Sequence, residues 1–483
     1  MLLNLTLFKT HKKQLLVVIV SLFLYTLFAY YLQRTDYTKL IVIYSALFFL
    51  FYKMVQTCKH NIKFLTIVAF LLRATFIAAI PNLSQDFYRF IWDGRMILEG
   101  FNPYLYTVES FISHGESPIN QVKELYKGMG TLNAGHYTNY PPLNQLCFVI
   151  AGIFAGKSIL GSAIVFRLII IAADFGTLYF GKKLLKRLNI PLHNIFWYIL
   201  NPFIIIELTG NLHFEGVMIF FLIWGLYLLH VNKWQYAAIV LACSISVKLI
   251  PLIFLPLFYQ WFTLTTSKDQ ICFKRNEKKL HHQIQKNTFP FKSTLNFTGI
   301  LKLIIFYTII IISILLLFSP FYSSQFISNY TKTVGLWFQK FEFNASLYYI
   351  AREIGYTFRG WNEIAIIGKT TPIIVIITVL MITFFRRNKT MIQLISAMLL
   401  TLSFYYFTAT TVHPWYVATL LVLSIFTKYK FPMVWSFVII LSYLAYANSN
   451  NQENLWIIGL EYLIVYSVCI WEVLLKKDLL KSN

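Results

Sequence analysis

Long apolar runs are the feature of this sequence that most restricts its fold. Runs of about twenty mostly apolar residues, such as 299–318, recur along the chain and have the length of a helix that crosses a bilayer. Of the 483 residues, 58% are hydrophobic and 13% are charged, whereas an average soluble protein has about 25% charged residues. This pattern excludes a water-soluble globule and predicts an all-α, polytopic integral membrane protein.

The basic residues lie in short patches between the apolar runs. They give the chain a formal net charge of +23. A nucleic-acid interface needs Lys and Arg clustered on a soluble surface, so we expect no nucleic-acid partner. Short basic patches are instead typical of cytoplasmic loops under the positive-inside rule, which predicts a cell-membrane protein with membrane lipids around it. The five cysteines are scattered and indicate neither a disulfide framework nor a zinc site.

Placing most basic patches inside predicts about fourteen spans with both termini cytoplasmic. The long segments 81–140 and 319–370 are then external. We divide the chain into an N-terminal two-span hairpin (1–62), a transmembrane core (63–318) and C-terminal transmembrane helices (319–483). The predicted spans are 14–32, 39–56, 63–80, 162–181, 194–209, 216–230, two short helices within 235–264, 299–318, 371–385, 391–410, 415–428, 431–447 and 456–474.

Two apolar segments do not fit a simple crossing. A span at 143–159 would place the basic patch 182–187 outside, so we expect this segment to be interfacial or re-entrant. Residues 235–264 are too few for two full spans, yet a single span would place the basic loop 268–292 outside. We therefore expect two short helices broken near Lys248 and Pro251, because broken helices are tolerated where they line a cavity.

Three basic residues, Arg73, Arg167 and Lys248, fall within the predicted membrane segments. An ionisable residue at this depth is a functional-site hypothesis by default. An equally good account for Arg73 and Arg167 is that they pair within the bundle or reach towards the interface.

The external segment 81–140 begins with a predicted amphipathic helix. Asp86, Arg89 and Asp93 stand at i, i+3 and i+7 and share one face of it, whereas Phe87 and Phe90 belong to the apolar side. This spacing predicts a pair of carboxylates directed at a cavity. In the alternative interpretation, Asp86 or Ser84 caps the helix, and Arg89 and Asp93 form a surface ion pair.

More polar and aromatic residues occur at other external ends of spans. They include the acidic and imidazole cluster of His213 and Glu215, the external cation Arg352, and the group His413, Trp415 and Tyr416. Carboxylates, cations and aromatic rings on one membrane face suit transfer from a lipid-linked phosphate: a carboxylate acts as base, a cation binds the phosphate and a ring binds the sugar. Alternatively, His213 is a hydrogen-bonded structural residue and the aromatic group is an interfacial belt.

The first external segment resembles that of GT-C glycosyltransferases, above all the polyprenyl-phosphate-mannose-dependent mannosyltransferases. The resemblance extends from about residue 63 to 430 and is carried by these segments: 85–95 (QDFYRFIWDGR), 100–104, 140–143, 201–202, 211–215, 248–251, 343–349 and 413–416. Asp86 matches the catalytic aspartate of the first loop, and Glu215 lies where the family has a second external acidic residue. This sequence departs from the family around Glu215 and in its two extra N-terminal spans.

The resemblance implies an inverting transfer of a hexose, expected to be mannose, from a polyprenyl-phosphate donor to a lipid-linked or glycan acceptor at the outer face. Asp86 would accept the proton of the acceptor hydroxyl, and Lys248 or Arg352 would bind the phosphate. We expect no cofactor; a divalent metal is possible but not indicated. The remaining substrate-binding candidates are Arg89, Asp93, Arg95, His213, Glu215, His413, Trp415 and Tyr416. The rival hypotheses are a carrier or flippase of lipid-linked sugars, which forms no bond, and a non-catalytic membrane scaffold.

Overall fold

The computed structural model describes residues 12–264, 296–448 and 450–475. Within these ranges the backbone is helical or irregular, with one isolated parallel bridge between Phe343 and Thr411. The predicted all-α architecture is therefore confirmed for these residues. The basic loop predicted at 268–292 and the basic residues after 475 lie outside the described residues.

The N-terminal part is a helical hairpin followed by a short third helix. Helix α1 (Lys12–Tyr31) and α2 (Tyr37–Cys58) are joined by the turn 32–36, and α3 (Ile62–Ala74) follows. The Asn61 side chain accepts a hydrogen bond from the Phe64 amide at 3.0 Å and so caps α3. The turn 32–36 carries Arg34.

Segment 81–140, for which the external position remains a prediction, is mostly helical, and the predicted helix at its start is confirmed. It contains α4 (Asp86–Leu98), α5 (Val108–Ser113) and α6 (Val122–Ala134), and α7 (Pro142–Ala155) follows. Helix α4 packs closely on α7 at Gly94, where a Cβ atom would lie only 2.4 Å from the Phe148 carbonyl oxygen. Only glycine allows this approach, which fixes the orientation of α4 and of its first residue, Asp86.

Helix α7 has 14 residues. At 1.5 Å per residue it is about 21 Å long, shorter than the roughly 30 Å of a hydrocarbon core. That length agrees with an interfacial or re-entrant helix, and its position remains a prediction. The next helix, α8 (Ile159–Arg187), is longer than the predicted span 162–181 and includes the basic patch in its last turns.

The stretch predicted as the span 194–209 is not one continuous helix, and its crossing of the membrane is not confirmed. This stretch forms two short helical pieces, Leu192–Ile195 and Phe196–Ile199, and then α9 (Pro202–Gly210), which meets α10 (Glu215–His230) at an angle of 115°. The break precedes Pro202, because proline has no amide hydrogen to continue the helix and forces Asn201 into an extended conformation. The Asn201 side chain accepts a hydrogen bond from the Phe203 amide at 2.9 Å and restarts the helix.

The predicted break near Lys248 and Pro251 is confirmed. Helix α11 (Trp234–Val247) ends one residue before Lys248, which has extended backbone angles, and α12 (Ile250–Thr263) begins two residues later. Neither helix is long enough to cross a bilayer alone as a straight helix. The side chain of Lys248 therefore lies at a gap between two helices.

The C-terminal half continues with longer helices, and the predicted external loop 319–370 is itself largely helical. Its backbone pairs with a later loop at the Phe343–Thr411 bridge, where Val412 N donates to Phe343 O at 2.8 Å. In chain order the helices are α13 (Phe297–Phe318), α14 (Ser324–Gln339), α15 (Leu347–Arg359), α16 (Ile364–Phe385), α17 (Met391–Thr408), α18 (Pro414–Ser424), α19 (Phe431–Ala447) and α20 (Leu455–Ile470), which continues as a π turn to Leu475.

Seven helices of the described residues are long and apolar enough to cross a membrane: α1, α2, α8, α13, α16, α17 and α20. The bent pair α9 and α10 is an eighth candidate, and α7, α11, α12, α18 and α19 are shorter apolar helices. The predicted fourteen spans are therefore not confirmed. The three-part division of the chain remains a prediction.

Arg73 and Arg167 belong to the core of the bundle. The Nε of Arg73 lies 2.7 Å from Oδ2 of Asp174, with both side chains fully buried. Arg167 donates to the carbonyl oxygens of Ile77, Thr209 and Gly210 at 2.8 to 3.0 Å. Arg73 is thus paired within the bundle, as one of the two predicted accounts has it, whereas Arg167 is held by backbone carbonyl oxygens.

Candidate active site

A cavity of about 760 Å³ lies where the turn 32–36, the first external segment and several helix ends meet. Six of the predicted site residues line it: Asp86, Glu215, Lys248, His413, Trp415 and Tyr416. These six residues are spread over more than three hundred positions of the sequence, from Asp86 to Tyr416, and the fold brings them together. The other predicted residues, Arg89, Asp93, Arg95, His213 and Arg352, are not on its wall.

Asp86 is the first residue of α4, and its carboxylate is on the cavity wall. Gln85 is the N-cap and makes no side-chain capping bond, while the Asp86 amide donates to Ser84 Oγ at 3.3 Å. The Asp86 carboxylate accepts a hydrogen bond from Asn133 Nδ2 at 3.3 Å. Burial raises the pKa of Asp86 above its usual value, and Lys248, Asn133 and Arg34 partly offset the rise. A carboxylate in this setting is a stronger base than an exposed one.

Arg89 and Asp93 lie behind Asp86 as a buried ion pair, with 2.8 Å between Arg89 Nε and Asp93 Oδ1. The expectation that Asp93 faces the cavity is wrong, and so is the alternative of a surface pair. Arg89 also donates to the carbonyl oxygens of Asn133 and His136, at 2.7 and 3.0 Å. The pair therefore holds the backbone that carries Asn133, the hydrogen-bond partner of Asp86.

Arg95, one turn further along α4, is turned away from the cavity. Its Nη1 donates to Asn120 O and to Gln121 Oε1, both at 3.1 Å. These bonds attach α4 to the chain just before α6. Arg95 thus stabilises the first external segment rather than the cavity wall.

Glu215 and Lys248 form an ion pair on the cavity wall, with 3.1 Å between Lys248 Nζ and Glu215 Oε1. Glu215 is the first residue of α10, and Lys248 lies in the gap between α11 and α12. Lys248 Nζ also lies 5.1 Å from the centre of the Tyr140 ring, at cation–π distance. The break between α9 and α10 therefore supplies the negative charge of this ion pair, and the break between α11 and α12 supplies the positive one.

A row of stacked rings forms another part of the wall. His413 lies parallel to Trp415, with 4.6 Å between ring centres, and Trp415 covers His213 at 3.7 Å. His213 is thus buried behind Trp415, with its Nε2 3.8 Å from Glu207. Burial lowers the pKa of His413 to about 3, so its ring is neutral at physiological pH.

Arg352 lies outside the wall and is already paired. Its Nη1 is 2.8 Å from Glu342 and its Nη2 is 3.0 Å from Glu353. Glu342 lines the cavity, so Arg352 acts on the wall only through that carboxylate. The geometry gives Arg352 no free donor directed at a phosphate in the cavity.

Comparison with known families identifies the chain. The sequence profile of the MptA_B family, alpha-(1->6)-mannopyranosyltransferase, N-terminal domain, matches residues 12–264, more than half of the chain. The protein belongs to this family. No curated protein matches it significantly.

The family membership confirms the expected glycosyltransferase class and a mannosyl transfer activity in general. The matched region contains Asp86, Glu215 and Lys248, and it also includes the N-terminal hairpin. Since the match begins at residue 12, the hairpin is within the family domain and is not a departure from it. The stacked rings of His413 and Trp415 lie beyond the matched residues.

Several residues on the wall of this mannosyltransferase cavity were not predicted: Arg34, Asn133, Tyr140, Glu342, Glu453 and Tyr446. Asn133 and Tyr140 lie within segment 81–140, whose length and polarity were a sequence signal for a functional loop. Arg34 and Glu453 lie in short turns, and no spacing in the sequence connects those turns with Asp86.

Among the described residues, no three His, Cys, Asp or Glu side chains are grouped closely enough to hold a metal ion. The carboxylates on the wall are instead engaged with Lys248, Arg352, Tyr349 or Asn133. Independence from metal remains a prediction for this glycosyltransferase.

Proposed function

We propose that the protein transfers a mannosyl group from a polyprenyl-phosphate donor to a lipid-linked or glycan acceptor, with inversion at the anomeric carbon and Asp86 as general base. The observation that carries this proposal is the Asp86 carboxylate: it lines the cavity, caps no helix and, among the described residues, has only the Asn133 amide as a hydrogen-bond partner. A base must be within reach of the substrate, and this carboxylate has no competing structural bond.

In the proposed step, the acceptor hydroxyl gives its proton to Asp86 while its oxygen attacks the anomeric carbon of mannose. The bond between that carbon and the phosphate oxygen breaks, and its electron pair leaves with the polyprenyl phosphate. Attack opposite the leaving group inverts the configuration. Asn133 holds the Asp86 carboxylate in place, and the buried pair of Arg89 and Asp93 fixes the backbone of Asn133.

The rest of the wall supports binding of a sugar. The Trp415 ring lines the wall with its edge, because His413 and His213 stack on its two faces. The ion pair of Glu215 and Lys248 offers both an acceptor and donors to the hydroxyls of a pyranose. His413 and Tyr416 extend this surface. We assign the sugar to this part of the cavity and the acceptor hydroxyl to the Asp86 side.

We place the reaction at the outer face of a cell membrane, with both termini in the cytoplasm. The basic residues concentrate in loops that the positive-inside rule assigns to the cytoplasm, while the segments that line the cavity are poorer in cations. A lipid-linked donor cannot leave the bilayer, so its phosphate would meet the cavity at the interface. Labelling of a cysteine introduced at Ser113 from the outside of intact cells tests this side.

The test of the function is a transfer assay with purified full-length protein in lipid. Incubation with radiolabelled polyprenyl-phosphate mannose and a membrane extract should give a new glycosidic product of inverted configuration. Asp86→Asn should reduce product formation at least about 100-fold and retain donor binding. Transport of the donor across vesicles with no product would refute the transferase proposal and establish a carrier.

A further inference from the structure

Two residues with fixed positive charge lie on the cavity wall within the part of the chain that the structure describes: Lys248 and Arg34. Lys248 is neutralised by Glu215 at 3.1 Å. Around Arg34, no carboxylate of the described residues comes within 4.0 Å, and its buried Nε has no hydrogen-bond partner there. The two cations are therefore not equivalent, because only one has its charge compensated.

We propose that Arg34 binds the phosphate group of the isoprenoid lipid in the donor and in the product. This inference rests on the proposed function and names the cation that the transfer requires. A guanidinium that has no carboxylate partner and a buried Nε–H without an acceptor is costly without an anion, since a buried N–H group without a partner loses its hydration. A phosphate supplies both the missing charge and the oxygen acceptors, and the planar fork of Arg matches its geometry.

Arg34 is held in place by a row of stacked rings. Its Cζ lies 3.2 Å from the centre of the Tyr446 ring. Behind Tyr446 the rings continue at 5.7, 5.3, 4.6 and 3.7 Å between successive centres, all within 30° of parallel. The row runs Tyr446, Phe343, His413, Trp415, His213.

Backbone hydrogen bonds join the two segments that carry the middle rings of this row. Phe343 pairs with the loop that carries His413, through the bonds Phe343 N to Thr410 O at 3.1 Å and Val412 N to Phe343 O at 2.8 Å. Thus Arg34, from the first turn of the chain, is stacked on a platform from the C-terminal half. Such a preorganised cation requires little reorganisation when charge develops near it.

The transfer itself increases the charge at this position. The donor is a phosphodiester with one negative charge, and its loss of mannose leaves a phosphate monoester with up to two. Arg34 therefore attracts the leaving group more strongly as the sugar–phosphate bond breaks. An interaction that strengthens along the reaction accelerates it, whereas one that stays constant only tightens binding.

A binding experiment with the purified full-length protein in lipid nanodiscs tests this inference. The probes are undecaprenyl phosphate, undecaprenol without the phosphate, and inorganic phosphate. Arg34→Gln should weaken binding of undecaprenyl phosphate by at least about 10-fold and leave binding of undecaprenol unchanged. Arg34→Lys, which keeps the charge but loses the fork, should show an intermediate loss of about 3-fold or more.

The matched control is Lys39→Gln, which removes one positive charge from the same hairpin. Lys39 is paired with exposed Asp36 at 3.2 Å and is absent from the cavity wall, so this variant should bind undecaprenyl phosphate like the wild type. Wild-type affinity in folded Arg34→Gln overturns the inference. If that variant does not fold, unchanged affinity in Arg34→Lys overturns it, and so does wild-type binding of inorganic phosphate as tight as that of the lipid.

Failure of this inference and failure of the proposed function give different results. If the wild type transfers mannose but the Arg34 variants bind undecaprenyl phosphate with wild-type affinity, the inference is refuted and the proposed function is not. Arg34-dependent binding of undecaprenyl phosphate, with no transfer from any polyprenyl-phosphate mannose, supports the inference and refutes the transferase proposal.

Discussion

The two halves of the chain contribute different chemistry to the cavity wall. The half that matches the mannopyranosyltransferase family supplies Asp86, Glu215, Lys248 and Arg34, whereas the C-terminal half supplies mainly stacked rings. Each half leaves the wall incomplete, because a sugar needs a surface to lie on and its transfer needs a base and a cation. We infer that the first half determines the reaction and the second determines how the substrate is held.

Asp86→Asn, in the first half, is expected to lower mannosyl transfer more than any other substitution discussed below. The change keeps the shape of the side chain and removes its basicity, so kcat/KM for mannosyl transfer should fall at least about 100-fold. The unfolding temperature in detergent should stay that of the wild type, since the carboxylate caps no helix.

The matched control for Asp86→Asn is Asp36→Asn, in the exposed ion pair of the first turn, which should remain active. Near wild-type turnover of Asp86→Asn would show that Asp86 is not the general base, because the Asn amide cannot take up the proton of the acceptor hydroxyl. The reaction chemistry would then have to be sought outside the first external segment.

The pH dependence of kcat/KM also distinguishes between a general base and a structural residue at position 86. Burial raises the pKa of Asp86 above its usual 3.8, so the carboxylate takes up a proton at a higher pH than an exposed Asp. A protonated base is inactive, and kcat/KM should therefore fall about 10-fold per pH unit below that raised pKa. Initial rates across the acid range should show this limb for the wild type. The residual activity of Asp86→Asn should not follow it.

Most of the charged wall residues in the first half can be predicted from the sequence. Asp86, Glu215 and Lys248 each stand where an apolar run stops, and a charge at such a point is costly unless it lines a cavity. Arg34 stands in an ordinary five-residue turn, and only tertiary packing brings that turn over Tyr446. The partner of a given charge is equally hidden: the sequence offers Arg352 as a phosphate ligand, whereas the fold gives its donors to Glu342 and Glu353.

The helix breaks also show which features the sequence predicts and which depend on tertiary packing. The interruption at Lys248 is predictable because the run 235–264 has the wrong length for one span or two. The break before Pro202 was missed, since apolar residues on both sides give the hydropathy of a continuous span. Proline marks where a helix can stop, but no proline stands at the 115° bend between α9 and α10, where Arg167 binds the carbonyl oxygens of Thr209 and Gly210.

A substitution in the ring row tests the contribution of the C-terminal half. Trp415→Leu removes the ring between His213 and His413, so KM for the donor should rise about 3- to 10-fold while kcat changes less, given about 0.5–1.5 kcal/mol per aromatic contact. Steady-state kinetics with the polyprenyl-phosphate donor would measure both constants.

The control for this substitution is Trp456→Leu, at a tryptophan that is 89% exposed and absent from the wall; it should leave KM unchanged. A large fall in kcat for Trp415→Leu with KM constant would contradict a holding role. It would indicate that the ring row positions the reacting groups themselves.

Arg352→Gln should have the smallest effect, although the sequence alone ranks Arg352 among the candidates for binding phosphate. Its guanidinium is shared between Glu342 and Glu353 and lies off the wall. Loss of these partly exposed ion pairs costs only about 0–1 kcal/mol, so KM for the donor should change by less than about 5-fold. A phosphate ligand would behave differently, since loss of a charged hydrogen bond of about 1.5–3 kcal/mol raises KM at least about 10-fold. Donor titrations of Arg352→Gln and Arg34→Gln in parallel therefore rank the two cations. A larger KM increase for Arg352→Gln would move the phosphate to the C-terminal half and end the division of labour between the halves.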